Sequence, residues 1–236
     1  MNIIVTGASR GIGYATVLEF CKDSSHEVIA IARNKVLLKK LSDETFKINP
    51  QRKLFILPMD LENFSGEIII KALHDFEWKH VDILINNAGT LINKPFENLT
   101  KQEWLHIYNV NVFSVVELIK TILPYVGKKN KGHIVNISSI GGVQGSTKFK
   151  GLSAYSSSKA ALANLTECLA EEFKNKNIFV NCLALGGVQT EMFEQAFPSY
   201  KANVTAYQMA QYICNFALTG QNNMNGKIIS VTLSTV

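Results

Sequence analysis

Short runs of consecutive apolar residues alternate along this chain with longer stretches in which apolar residues recur every three or four positions. The short runs, Ile3–Val5, Glu27–Ala32, Lys53–Leu57, Val81–Ile85, His133–Ile137, Ile178–Leu183 and Lys227–Val231, predict β-strands. Several are apolar throughout rather than alternating with polar residues, the pattern of strands covered on both faces. Helical periodicity fills about 11–23, 34–47, 65–78, 101–127, 154–175 and 205–219. Strand–helix alternation of this kind predicts right-handed βαβ units and a parallel sheet. No composition shift, repeat or low-complexity tract divides the chain, so residues 1–236 are expected to form one α/β domain.

Composition narrows the class. Apolar residues make up 47% and charged residues 18%, the balance of a globular chain rather than a disordered one. No apolar run reaches the roughly 18 residues of a membrane span, and Met1 leads straight into the first strand without a leader pattern. The four cysteines, Cys21, Cys168, Cys182 and Cys214, are scattered and read as thiols in a reducing compartment, so the cytoplasm is expected. A net charge of +5, with its one dense run at Lys128–Lys131, suits a solvated turn better than a nucleic-acid surface. The five histidines have no metal-ligand spacing, and no metal is expected.

Candidate chemistry collects at the ends of the predicted strands, the edge where open α/β sheets bind ligands. The first strand runs into Thr6-Gly7-Ala8-Ser9-Arg10-Gly11-Ile12-Gly13 and then a helix. Glycines let such a turn approach a ligand closely, and the helix N-terminus offers N–H groups to a phosphate; a tight turn alone would use the same residues. The second strand ends in Ala32-Arg33, where many dinucleotide domains place a ribose-binding acid. A cation there, with Arg10 close by, suits the 2′-phosphate of NADP(H). Further strand ends supply Asp60 and Leu61, then Asn86-Asn87-Ala88-Gly89, then Ser138 and Ser139. Asn111 interrupts an apolar helix and needs partners, structural or functional. Tyr155 and Lys159 lie one helical turn apart. An ammonium there is expected to lower the phenol pKa and make Tyr155 a general acid or base. A half-buried aromatic beside a snorkelling lysine is the plainer alternative.

In this order, these residues resemble the short-chain dehydrogenase/reductase family, from Asn2 to about Val231. The resemblance implies a single-domain Rossmann fold: a doubly wound parallel sheet of about seven strands, helices on both faces, binding a nicotinamide dinucleotide. It implies that Tyr155 exchanges the proton and that Lys159 tunes it and holds the nicotinamide ribose. Ser139, chosen over Ser138 because it directly precedes Ile140-Gly141-Gly142, would bond the substrate oxygen. Asn111 would anchor a water beyond Lys159. The cofactor would meet Gly7, Ser9, Arg10, Gly11, Ile12, Gly13 and Arg33, with Asp60 and Leu61 at the adenine and Asn87, Ala88 and Gly89 at the riboses. Gly186, Val188 and Thr190 complete the set at the nicotinamide end, Val188 and Thr190 at its carboxamide.

Three departures from the family pattern stand out. Leu185-Gly186 replaces a usual Pro-Gly, which predicts a less rigid backbone there. The segment from Ser139 to Tyr155 is about three residues longer, centred on Thr147–Lys150. The segment after Thr190 is short, which predicts a small lid. The expected activity is NADP(H)-dependent interconversion of a carbonyl and an alcohol on a small molecule. The alternative is a dinucleotide-sensing protein with little turnover, against which the complete Ser139, Tyr155 and Lys159 set argues. Phe149, Phe193, Phe197 and Tyr200 could line an apolar pocket or simply pack together. Apolar residues on more than one side of the two long helices (Val112, Val115 and Leu118; Leu162, Leu165 and Leu169) predict a homodimer or homotetramer.

Overall fold

Successive residues of a strand face opposite sides of its sheet, and in the computed structural model, which describes residues 1–233, both sides are apolar. The first half of the chain runs β1 (Asn2–Thr6), α1 (Gly11–Phe20), β2 (Glu27–Ala32), α2 (Lys35–Ile48), β3 (Lys53–Pro58), α3 (Gly66–Asp75), β4 (Ile83–Asn86), α4 (Lys101–Tyr108) and α5 (Ser114–Ile122). It continues through β5 (Gly132–Ser139), α6 (Ser153–Glu172), β6 (Ile178–Leu185), β7 (Val188–Gln189), α7 (Glu191–Ala196), β8 (Val204–Thr205), α8 (Ala206–Thr219) and β9 (Ile228–Val231). Seven strands form one sheet in the order β3-β2-β1-β4-β5-β6-β9, every pair parallel. This is the expected doubly wound Rossmann sheet.

The alternation assigns the helices. Ile3, Val5, Val28, Ala30, Val135 and Ile137 face α1, α2 and α8 through Val17, Leu38, Leu41 and Ile213. Ile4, Ile29, Ile31, Leu84 and Ile134 face the opposite layer, built from α3, α5 and α6 through Ile69, Leu118, Ile122 and Leu162. Strand order reverses between β1 and β4, and there the helices leave a crevice at the carboxyl edge.

All seven predicted strands are present, with β4 beginning at Ile83; Val81 makes only an isolated bridge to Val126. The helix predicted over 101–127 is broken. Asn109–Phe113 forms one π turn between α4 and α5, where the Ser114 N–H reaches back five residues to the Asn109 carbonyl. Lys101–Tyr125 contains an 18-residue window with the mean hydropathy, 1.2, of a membrane span, and 44% of that window is buried inside the domain. The apolar residues cited for oligomerisation are consumed by the domain's own core: Val112, Val115, Leu118 and Leu162 are buried, and Leu165 and Leu169 pack against them. The apolar groups these helices leave exposed are Leu105 and Phe113. The pair β7–β8 and the short helix α7 were not legible in the sequence pattern, because two-residue strands and a six-residue helix carry too little periodicity.

Candidate active site

The crevice is a cleft of about 1120 Å³. Seventeen of the nineteen predicted site residues line it; Gly13 and Asn111 do not.

Its floor is the turn between β1 and α1. Gly7 has φ +68°, and a Cβ there would lie 2.8 Å from the Ala88 Cα. Gly13 sits behind the turn, where a Cβ would overlap the Gly7 carbonyl and the Asn87 amide. Only glycine permits this packing. The turn is locked by groups that the sequence reading undervalued. Thr6 Oγ1 accepts the Asn87 and Ala88 N–H groups, each at 3.0 Å, and Asn87 Nδ2 donates to the Thr6 carbonyl at 2.9 Å. The Asn87 side chain, expected at a cofactor ribose, therefore holds the glycine turn together. A signal was available: a polar residue ending an apolar strand needs a buried partner. Asn86 follows the same rule, donating to Asn136 Oδ1 at 2.8 Å, while Asn136 donates to Thr166 on α6.

The next wall is β5 and α6. Strand geometry separates the two serines. Ser138 faces the core and donates to the Lys159 carbonyl at 2.8 Å, while Ser139 lines the cleft beside Tyr155, its Oγ accepting the Gly141 N–H at 3.2 Å. Lys159 is buried, donates to the Ile137 carbonyl at 2.9 Å and lies 5.9 Å from the Tyr155 ring centroid. Burial pushes its ammonium down to about 8. Tyr155 moves opposite to expectation. Burial raises its pKa, the neighbouring Ser139 hydroxyl only partly offsetting this, and Lys159 contributes no resolved lowering. The reason is that both groups share one desolvated wall, and desolvation there outweighs their mutual field.

Asn111 is fully buried beside this pair: Asn111 Oδ1 and Lys159 Nζ both lie 3.3 Å from where a Gly89 Cβ would be. Its amide donates to the Thr90 carbonyl (3.0 Å) and to Ser158 Oγ (2.9 Å), and its oxygen accepts the Thr90 N–H (2.8 Å). Both amide protons are spent on protein, so an Asn111-bound water would have to donate to an oxygen of this residue. It clamps the π turn to α6 and to the chain after Gly89.

The roof follows β6. Leu185, in place of the usual proline, keeps its ladder pairing. It remains in β6, in register with Ser139 and Val231, and the Gly186 N–H donates to the Val231 carbonyl at 2.9 Å. Val188 is buried in β7, and Thr190 caps α7 by accepting the Phe193 N–H at 3.2 Å. Thr190 also lies against the glycine turn, 3.4 Å from a Gly11 Cβ position. Across this approach Arg10 pairs with Glu191 at 3.0 Å, both side chains exposed. The small lid is thus tethered to the floor, a contact no local pattern could reveal at a separation of 181 residues.

The far end fits a dinucleotide carrying an extra phosphate. The N-terminus of α1 has no side-chain cap and no acid in its first turn, leaving its N–H groups to an anion. Arg33 is exposed on the cleft wall and makes no ion pair among the described residues, while Ala32 beside it offers no competing acid. Asp60 and Leu61 continue the wall, the Asp60 carboxylate accepting the Glu62 N–H at 3.1 Å.

A family model for short chain dehydrogenase matches residues 1–201. The chain belongs to that family. This short chain dehydrogenase is 29% identical to the 3-oxoacyl-[acyl-carrier-protein] reductase FabG of Thermotoga maritima, over 97% of this chain and 94% of that one. It is 33% identical to dehydrogenase/reductase SDR family member 6 of Xenopus laevis, over 80% of this chain and 71% of the relative. Its fold superposes on a short chain dehydrogenase of Shigella flexneri complexed with NADP (TM-score 0.84, 26% identity, 97% of this chain and 95% of that one). The same values hold for a short chain dehydrogenase of Escherichia coli complexed with NADPH.

Proposed function

We propose that this short chain dehydrogenase is an NADP(H)-dependent oxidoreductase that interconverts a small-molecule carbonyl and alcohol, with Tyr155 as the proton-exchanging group. The observation that carries the reading is that Ser139 and Tyr155 line one cleft wall with the buried Lys159 ammonium 5.9 Å from the Tyr155 ring. Bound NADP(H) supplies or accepts the hydride. Ser139 and Tyr155 converge on the carbonyl oxygen. Tyr155, kept protonated by burial, gives its proton to that oxygen as negative charge develops, and the Ser139 hydroxyl donates to the same atom. Lys159, still largely charged at neutral pH with a pKa of about 8, stabilises the phenolate left behind.

The preference for NADP(H) over NAD(H) rests on Arg33, with Arg10 in support. A homodimer or homotetramer working in the cytoplasm completes the reading, supported by exposed Leu105 and Phe113 and by four free cysteines. The test is NADPH oxidation against a panel of ketones, aldehydes, quinones and acyl thioesters, beside fluorescence titration of NADPH and NADH and light scattering for mass. Tight NADPH binding with no turnover on any substrate would favour a dinucleotide sensor instead.

A further inference from the structure

The four aromatic residues that the sequence left ambiguous come from two separate segments and meet. Phe149 sits at the tip of the extra length between Ser139 and Tyr155, and its ring centroid lies 5.2 Å from that of Phe197, edge to face. Phe197 follows α7 and also contacts Phe193 (5.2 Å) and Tyr200 (6.3 Å). The chain of rings is anchored at the nicotinamide end of the cleft. A Cβ on Gly187 would lie 3.0 Å from the Phe193 ring, so Phe193 packs on the backbone between Leu185 and Val188. Its other end returns to the catalytic helix, because the Leu152 N–H donates to the Phe149 carbonyl and Leu152 precedes α6. All four rings line the same cleft as Ser139 and Tyr155, yet Phe149 and Tyr200 remain exposed. Core packing does not leave rings in this state.

Several polar groups around the rings are already committed elsewhere. Glu191 pairs with Arg10, Glu194 accepts from Gln189 at 2.6 Å, and the Asn93 amide donates to the Ala196 carbonyl at 2.8 Å. Lys148, beside Phe149, is held by the Val143 carbonyl and Ser146 Oγ. Among the described residues the one cation lining this end besides Lys159 is Lys201, exposed at the rim next to Tyr200. The wall facing the reacting carbonyl is therefore mainly aromatic, with Lys201 at the rim rather than among the rings.

We infer that the substrate is an apolar carbonyl compound bearing a ring or ring-sized hydrocarbon group, held between Phe149 and the Phe193–Phe197–Tyr200 face. This rests on the oxidoreductase reading and adds that Phe149 determines specificity. The three-residue extension then has a role: it carries a ring across the cleft to the lid. A charged acyl-carrier thioester would leave its polar arm against these rings.

Calorimetric titration of ketones into the protein–NADP⁺ complex tests this without turnover, since neither partner can be reduced there. A phenyl alkyl ketone is expected to bind about tenfold or more tighter than a hydroxyketone of equal length, and tighter than a short acyl-pantetheine thioester. Phe149→Ala should cost about tenfold in phenyl ketone affinity while leaving the hydroxyketone and NADP⁺ unaffected; Phe149→Tyr should keep the affinity. Phe149 lies on an exposed loop, so these variants fold, and in turnover the Ala variant should raise KM more than it lowers kcat. Equal affinity for the two ketones, or no effect of Phe149→Ala, would overturn the inference and leave the oxidoreductase reading standing. Discrimination between ketones with no NADPH oxidation by any of them would uphold the pocket and remove the activity.

Discussion

The two ends of β5, about six residues or 20 Å apart, each adjoin a titratable group with a perturbed pKa, His133 in the strand and Tyr155 on α6 beside Ser139, and they are built in opposite ways. At the start of the strand His133 is fully buried, with Nδ1 on the Ala217 carbonyl at 2.9 Å and Nε2 facing Asn181 Nδ2 at 3.1 Å. Asn181 in turn serves the Met224 carbonyl and the Lys227 N–H. Every partner is protein, and the ring is fixed as the neutral Nδ1–H tautomer. At the other end Ser139 and Tyr155 both line the open cleft. Both neighbourhoods perturb pKa values strongly, so perturbation alone does not mark a catalytic group. What differs is whether hydrogen-bonding capacity is left over and where it points.

The largest effect is expected at the open end. Tyr155→Phe should reduce turnover about 10²–10⁴-fold while leaving NADPH affinity unchanged, measured by initial rates beside cofactor titration. Retention of more than about a tenth of the rate would make Tyr155 as structural as His133.

Stability against pH separates the ends next. Burial lowers the His133 pKa from 6.5 to about 4, so its unfolded form binds the extra proton between those values. The stability it contributes is present above pH 6.5 and lost as pH falls towards 4, up to about 3 kcal/mol. Urea denaturation of His133→Gln should show a shallower acid loss than wild type, with activity at neutral pH retained. Lys159 acts in the alkaline window. Its pKa is lowered from 10.5 to about 8, so burying the charge costs stability at lower pH, and wild type should gain on Lys159→Met as pH rises from about 8 towards 10.5. A pH-independent gap between the two would contradict the buried, desolvated ammonium.

The same distinction between committed and uncommitted groups applies to the arginines. Arg52 is bound by the Ser42 carbonyl and Thr45 Oγ1, whereas Arg33 has no ion pair among the described residues and lines the cleft. Arg33→Ala should lower NADPH affinity about 10- to 150-fold, the worth of one charge-assisted hydrogen bond, with NADH unchanged and the loss shrinking in high salt. Equal affinity of wild type for both cofactors would refute the role. The smallest effect belongs to Arg10, which is half committed. Releasing it with Glu191→Gln should strengthen NADPH binding by no more than about fivefold, since exposed ion pairs are worth about 0.2–1 kcal/mol; weakened binding would place Glu191 on the cofactor's side instead.

Local signals carried most of the architecture. Apolar runs located all seven strands of the main sheet, and the glycine turn, Asn87–Gly89, Ser139, Tyr155 and Lys159 were legible because strand ends must share one edge in such a sheet. What escaped depends on distance or competition. The Arg10–Glu191 pair joins residues far apart in the chain, the Asn87 and Asn111 amides had protein partners that no spacing reveals, and the direction of the Tyr155 shift turned on desolvation outweighing a neighbouring charge. The sequence placed most of these residues near the cleft, while their bonding needed three dimensions.

The single π turn at Asn109–Phe113 also sets what this chain can tolerate in its length. One surplus residue advances the helical phase by about 100°, and that offset lets α4 pack on α6 while α5 packs on α3. Removing one residue anywhere in 109–113 would restore a regular helix and swing one of these two stripes off its neighbour. Substitutions at exposed Phe113 are therefore absorbed, whereas a one-codon deletion beside it dismantles a whole layer: the segment reads its own length more strictly than its letters.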